Sequence, residues 1–352
     1  MPAKPAVLDA STATETWFIK NGLPYFVPDQ RTAAREALRP KRTVPLGIGV
    51  GLVAVALAVL LARLLEDFSI GPAALTFVGL SAALAYAATA LRARPIVTWA
   101  VHRTVGSLRQ LLPMMTRALP LLIVFVTFLF INAEVWHVAS RLDGGVLWLV
   151  VLLFLALAIG FFLVRLPEEI DRADDELDDQ RVIAVVQGTP VAAEAERLAA
   201  ERPGALEAEV QISTFERANL TVALVVIQLS QVLLISLSVL LFLLIFGAVA
   251  MDGEVVSVWI ADDKELSNVS FELLQVSIFL AAFSGLYVSV TATTDEAYRE
   301  QFFTGVMHEM ERAIAVRAAY NALRKDRGDV SLDDPTLRLA TRASNEQDPR
   351  GT

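Results

Sequence analysis

Glu134, His137 and Arg141 are the side chains whose types and spacing first suggest chemistry, because Glu134 is the one acid that stands beyond the first two residues of any of the long apolar runs of this chain. Ionisable groups within membrane-length segments are rare, costly and functional by default. Intervals of three and seven residues would stack the three on one helical stripe, and Arg63, at the far end of another apolar run, is placed to join them. Such a cluster either anchors a helix end as an ion pair close to water, the expected role, or holds a proton or cation in transit. Glu134-x-x-His137 is also half of a carboxylate-bridged di-metal motif, but no second copy stands on another run, so no metal site is expected.

A second candidate is acidic. Eight acids fall between Glu168 and Asp179. Among them Asp174, Asp175 and Asp178 spell DDxxD, with Asp171 one turn earlier, the spacing that holds Mg²⁺ against a diphosphate in prenyl-transferring membrane enzymes. Those enzymes set a second aspartate motif opposite the first, and here Asp333 and Asp334 sit in a polar tail instead. The expected role of the run is a solvated helical face. An EF-hand is excluded because the loop glycine is absent.

The elements that must position these residues are membrane spans. The 352 residues are 55% hydrophobic, and the apolar residues come in runs of about 20, the length that crosses a hydrocarbon core of about 30 Å. The organising run is Ala218 to Met251, which has no charged side chain between Arg217 and Asp252. It exceeds a bilayer, so its apolar core is expected at Val232 to Met251, with the helix starting outside the lipid. Six spans follow: Leu46 to Leu65, Ile70 to Leu91, Leu119 to Val138, Val146 to Leu166, Val232 to Met251 and Phe271 to Thr291. The expected fold is an all-α polytopic bundle. Of the 30 Lys and Arg, only Arg63, Arg141 and Lys264 fall on the side that the termini do not share, so both termini and the two long loops are expected in the cytoplasm of a plasma membrane protein. No cysteine is present, so disulfide and thiolate chemistry is excluded, and 25 Arg against 5 Lys suits a GC-rich bacterial genome.

The domain organisation read from the sequence has an N-terminal arm at 1–45, four spans at 46–166 with a basic loop at 92–118, and an acidic loop or small subdomain at 167–217. Spans five and six at 218–294, a cytoplasmic helix at 295–327 and a disordered tail at 328–352 complete it. In the arm, Trp17, Phe18, Tyr25 and Phe26 read as an irregular aromatic segment at the headgroup level, followed by a helix capped by Asp29. Its Arg31, Arg35 and Arg39 are expected as an ordinary positive flank before the first span, with a stripe facing lipid phosphates as the alternative. Gly47, Gly51, Gly79, Ala83 and Ala87 predict a close-packed hairpin of spans one and two, with a dimer face as the alternative. Residues Pro95 to Leu112 suit a helix lying in the inner interface through Val97, Val101, Val105, Leu108 and Leu112. Arg181 to Gln187 reads as strand-like, Thr189 and Pro190 open a helix to about Ala200, and Val255 to Ile260 reads as a short outer hairpin arm. The 167–217 segment is expected to bury little core of its own. From Tyr298 to Leu323 an apolar stripe requires a protein cover, either that acidic loop or a second copy of the chain.

Two stretches, Trp17 to Val27 and Phe128 to Val138, resemble those of uncharacterised multi-pass integral membrane proteins of high-GC bacteria. The resemblance implies the topology and names no activity. From the residues, the first expectation is a non-enzymatic scaffold or interaction protein with no cofactor. Its expected partners are the bilayer, anionic lipids at the inner face, and a second copy or a cytoplasmic protein, with no nucleic acid. A small-solute or ion transporter or channel is the alternative, and a Mg²⁺-dependent prenyl-transfer-like enzyme is a remote one. A transporter would call for broken helices and midplane charges.

Overall fold

The computed structural model describes residues 5–64, 70–106, 120–142, 145–175, 177–251, 253–260, 270–294 and 296–328. Among these residues the protein is all-helical, without a strand. The helices are α1 (Pro5–Lys20), α2 (Pro28–Ala37), α3 (Pro40–Leu64), α4 (Ile70–Thr89), α5 (Arg94–Gly106), α6 (Pro120–Phe130), α7 (Ala133–Ala139) and α8 (Gly145–Asp175). They continue as α9 (Asp179–Val185), α10 (Ala192–Glu201), α11 (Thr214–Ala250), α12 (Gly253–Ile260), α13 (Phe271–Thr294) and α14 (Glu296–Asp326). Five of them, α3, α4, α8, α11 and α13, are long and apolar enough to cross a membrane, or six spans if the bent pair α6 and α7 counts as one. The protein is a multi-pass membrane protein.

The chain divides into two compact units built from interleaved segments. One comprises Met1–Trp17, Arg172–Ser213 and Glu309–Thr352, and the other Phe18–Asp171 and Thr214–His308. In the second, membrane unit, α11 has 37 residues and so runs about 55 Å, well beyond a hydrocarbon core of about 30 Å. Its first half packs along α5, and its second half packs along α13.

Several local expectations are corrected. Trp17 and Phe18 belong to helix α1, and Phe18, Tyr25 and Phe26 are buried in protein rather than spread at the headgroups. Val27, not Asp29, caps α2, because Pro28 takes the first helical position with its φ already set. The strand-like Arg181 to Gln187 is helix α9: Asp178 caps it and Val182 and Val186 are buried one turn apart, so packing overrides the β-branched composition. In α12, Val256 is buried and Trp259 meets Trp136, a three-residue interval that a helix satisfies and a hairpin arm does not. Helix α10 starts at Ala192 with Val191 as an N-cap that makes no side-chain bond, and the Thr189 hydroxyl donates backwards to the Val186 carbonyl. Helix α5 buries Ile96 and Ala100 against protein and leaves Val97 and Val101 exposed, while Leu108 and Leu112 lie outside the described residues. Helices α3 and α4 do form a hairpin, but Gly47, Gly51 and Gly79 face open space. The close approach instead runs through Gly71, whose missing side chain would stand 3.8 Å from the Ala58 carbonyl and the Ala62 methyl.

The other unit has a core of its own. Val182, Val186, Val191, Ala195, Leu198, Leu206 and Val210 are buried there together with Met310, Ala313, Val316, Tyr320 and Leu323 of α14. Segment 167–217 alone could not form it; α14 supplies the missing apolar face. The apolar stripe is thus covered within the chain, and the side chains of Tyr298, Phe302 and Val306 lie outside the described residues.

Candidate functional site

The most polar buried site of the membrane unit sits at the base of α11. Glu216 is fully buried and its carboxylate accepts from the Arg31 guanidinium at 2.6 Å, while Arg31 Nε donates to the Tyr25 carbonyl at 2.9 Å. One turn on, buried Asn219 accepts from the Tyr25 amide at 3.0 Å and donates to the Gly22 carbonyl at 2.9 Å. The Tyr25 hydroxyl donates to the Leu91 carbonyl at 2.7 Å, and burial raises its pKa above the ordinary phenol value, so it stays a neutral donor. Gly22 is required where it stands: its φ is +70° and any side chain would meet the Trp99 ring at 3.0 Å. Around this clamp Tyr25, Ala34, Ala93, Ile96 and Ala223 form a small core with Ala87, Trp99 and Phe215 against it. The Arg35 guanidinium lies 5.0 Å from the Phe215 ring centroid. Arg31 and Arg35 are therefore engaged by protein, and of the expected basic stripe only Arg39 is exposed.

Along the seam between α11 and α13, Gln228, Gln231, Ser277, Ser284 and Ser289 are buried. A side chain on Gly285 would come within 2.5 Å of Ser236 Oγ, and one on Gly247 would collide with Leu273 and Phe130. These two approaches fix an antiparallel register that puts Gln231 level with Ser289. Ser284 and Ser289 donate to carbonyls of their own helix, at Leu280 and Gly285. Among the described residues no donor reaches Gln231 Oε1. Small and hydroxyl side chains that let two backbones approach are what membrane helix pairs use.

The third expected span is broken. Helices α6 and α7 meet at 79° across Ile131 and Asn132. The Asn132 side chain accepts from the Glu134 amide at 2.9 Å as the cap of α7, and Trp136 Nε1 donates to the Phe130 carbonyl at 2.6 Å. The break thus satisfies its own freed backbone groups. Phe130 also packs on Phe246 near the end of α11, and Trp136 packs on Trp259 of α12. Glu134, Arg141 and Arg63 are exposed and His137 is half-buried; among the described residues no ion pair joins the four.

In the other unit, Asp178 spends its carboxylate on the Arg181 amide at 2.7 Å, and Asp179 accepts from the amides of Gly204, Leu206 and Glu207. Asp171, Asp174 and Asp175 lie on the last turns of α8, and their side chains are outside the described residues. Among the described residues no group of three His, Asp or Glu is placed to hold a metal ion. Four basic side chains here pair with carboxylates: Arg181 with Glu311, Lys325 with Glu209, and Arg197 and Arg202 with Asp326 at 3.1 and 2.6 Å. Arg317 donates to the carbonyls of Glu209 and Gln211, both at 2.6 Å.

The residues that the sequence did not single out are Glu216, Asn219 and Arg31's partnership with them. Glu216 and Asn219 precede the uncharged run, at the foot of a helix too long for a bilayer, and that excess length was the available signal. Comparison of the chain with protein-family models, with curated proteins and with solved structures returns no match.

Proposed function

We propose that this protein is a non-enzymatic membrane scaffold that serves a cytoplasmic partner. The observation that carries this reading is the clamp at Arg31, Glu216, Asn219 and Tyr25. Its polar groups are spent on one another and on backbone rather than offered to a solute, which is the economy of a fixed joint. The expected setting is a plasma membrane with both termini cytoplasmic, from the charge asymmetry of the loops.

A transporter is the second reading, and the broken span is the observation in its favour. Against it, Phe130 packs beside Gly247 in the last turn of α11 and Leu273 in the first turn of α13, so the break stands at the helix ends rather than at midplane. A helix turned aside there, with Trp136 inward and Val138 exposed, suits a rim at the membrane surface.

Purification in mild detergent followed by identification of co-purifying proteins, beside ion and solute flux in proteoliposomes, tests the two together. A stoichiometric protein partner without flux is the expected result; substrate-dependent flux without a partner overturns it. Orientation is tested with single cysteines, since the native chain has none. An impermeant reagent on intact cells should label position 258 and spare position 180.

A further inference from the structure

Two groups of basic side chains differ in their partners. Arg181, Arg197, Arg202 and Lys325 pair with carboxylates, Arg317 donates to carbonyls, and Arg31 is buried against Glu216. By contrast Arg39, Lys41, Arg42, Arg92 and Arg94 are exposed, and none of the five makes an ion pair among the described residues. The fold gathers them at one end of the α3–α4 hairpin. The Tyr86 hydroxyl donates to the Ala37 carbonyl at 2.6 Å and Arg92 donates to Gln30 Oε1 at 2.7 Å, which ties the α2–α3 corner to the α4–α5 corner. Glu36 and Asp29 on α2 are the acids nearest in sequence, and no acid occurs between residues 37 and 65 or between 68 and 133.

Helix stability does not explain the set, since Lys41 and Arg42 stand in the first turn of α3, where a cation opposes the helix dipole. The hairpin above them is membrane-length and almost unburied, so this end lies at the depth of lipid headgroups. We propose that Arg39, Lys41, Arg42, Arg92 and Arg94 form a collar that retains anionic phospholipid by its headgroup phosphate. Guanidinium groups bind phosphate by paired, charge-assisted hydrogen bonds, and each basic residue beside an anionic surface strengthens association on the order of fivefold. The inference rests on the scaffold reading only in placing this end of the hairpin at a membrane face. Partner capture and flux are measured separately, so either can fail alone.

The test uses the full chain in a neutral detergent with a fluorescent phosphatidylglycerol, the matching phosphatidylcholine, and inorganic phosphate as competitor. The expected result is retention of phosphatidylglycerol at least tenfold above phosphatidylcholine through gel filtration, undiminished by millimolar phosphate and reduced by 0.5 M salt. Replacing all five residues by Gln should abolish the preference, whereas replacing the four arginines by Lys should keep most of it and controls for folding. Equal retention of both lipids by the native chain, displacement by inorganic phosphate, or an unchanged preference in the folded Gln variant overturns the proposal.

Discussion

The α3–α4 hairpin and the α11–α13 pair are alike in apolar character and unlike in surroundings. The most apolar stretches of α3 and α4 are 11% and 6% buried within the protein, against 28% and 56% for α11 and α13. Hydrophobicity does not separate the pairs. What separates them is buried uncharged polarity: Gln228, Gln231, Ser284 and Ser289 occupy the buried seam, whereas α3 past Thr43 carries aliphatic residues, glycine and one proline before Arg63, and Thr76, Ser81 and Thr89 of α4 are exposed. A polar group in lipid must find a partner in protein, so its presence marks the helices that pack at the centre.

The comparison is broken most severely at the foot of α11. Glu216→Ala should cost about 3–5 kcal/mol of stability, because Arg31 would keep its charge in a buried place. Thermal unfolding in detergent checks this, and Arg31→Met with Glu216→Leu should recover most of the loss, since a buried pair is often replaceable by apolar groups. Next in size is a steric contrast. Gly285→Val should cost about 1–3 kcal/mol by pushing Ser236 and Val232 apart, while Gly51→Val, in open space, should stay within about 0.5 kcal/mol. The two melting curves from one preparation decide it.

A smaller effect separates the unit outside the spans. The Tyr320 hydroxyl donates to Glu15 at 2.6 Å, and burial first, then that carboxylate, raises its pKa above the ordinary value of 10.0. The folded state therefore holds this proton more tightly than the unfolded one. Its contribution is fully present below pH 10 and lost as pH climbs above that value. Tyr320→Phe should cost about 1 kcal/mol at neutral pH and flatten the alkaline loss, as read by limited proteolysis of segment 177–213 across pH 8 to 11. The smallest change is expected from Gln231→Leu, which removes a buried oxygen that no donor among the described residues reaches. It should leave the melting temperature unchanged or raise it, within about 1 kcal/mol.

Much of the fold was legible because the bilayer imposes one length on every spanning helix. The five long apolar helices, a length of α11 greater than a bilayer needs and the need to cover the α14 stripe all followed from length and period. Three things were not legible, each because a distant segment decides it. The arm's aromatics look interfacial in isolation, yet Phe18, Tyr25 and Phe26 are buried, and Tyr25 is held by Asn219, 194 residues away. Val182, Val185 and Val186 look like a strand until the Asp178 cap and buried packing make them helical. The break at Asn132 stands more than ten residues from Pro120, the one Gly or Pro of its apolar run, and what permits it is the Asn cap together with the Trp136 bond to Phe130. Of the candidate sites, Asp178 was placed as a cap, and Glu134, His137, Arg141 and Arg63 were found without mutual ion pairs among the described residues.

The central claim is that α11 and α13 form the protein-packed heart of the bundle while the α3–α4 hairpin faces lipid. Single cysteines carrying spin labels test it most directly in reconstituted bilayers, at positions 48, 52 and 53 on α3 and 235, 239 and 243 on α11. The account predicts high collision rates with lipid-dissolved oxygen at the α3 positions, where Ile48, Leu52 and Val53 are exposed, and low rates at the buried α11 positions. Protection of the α3 positions equal to that on α11, or free oxygen access along α11, would contradict it.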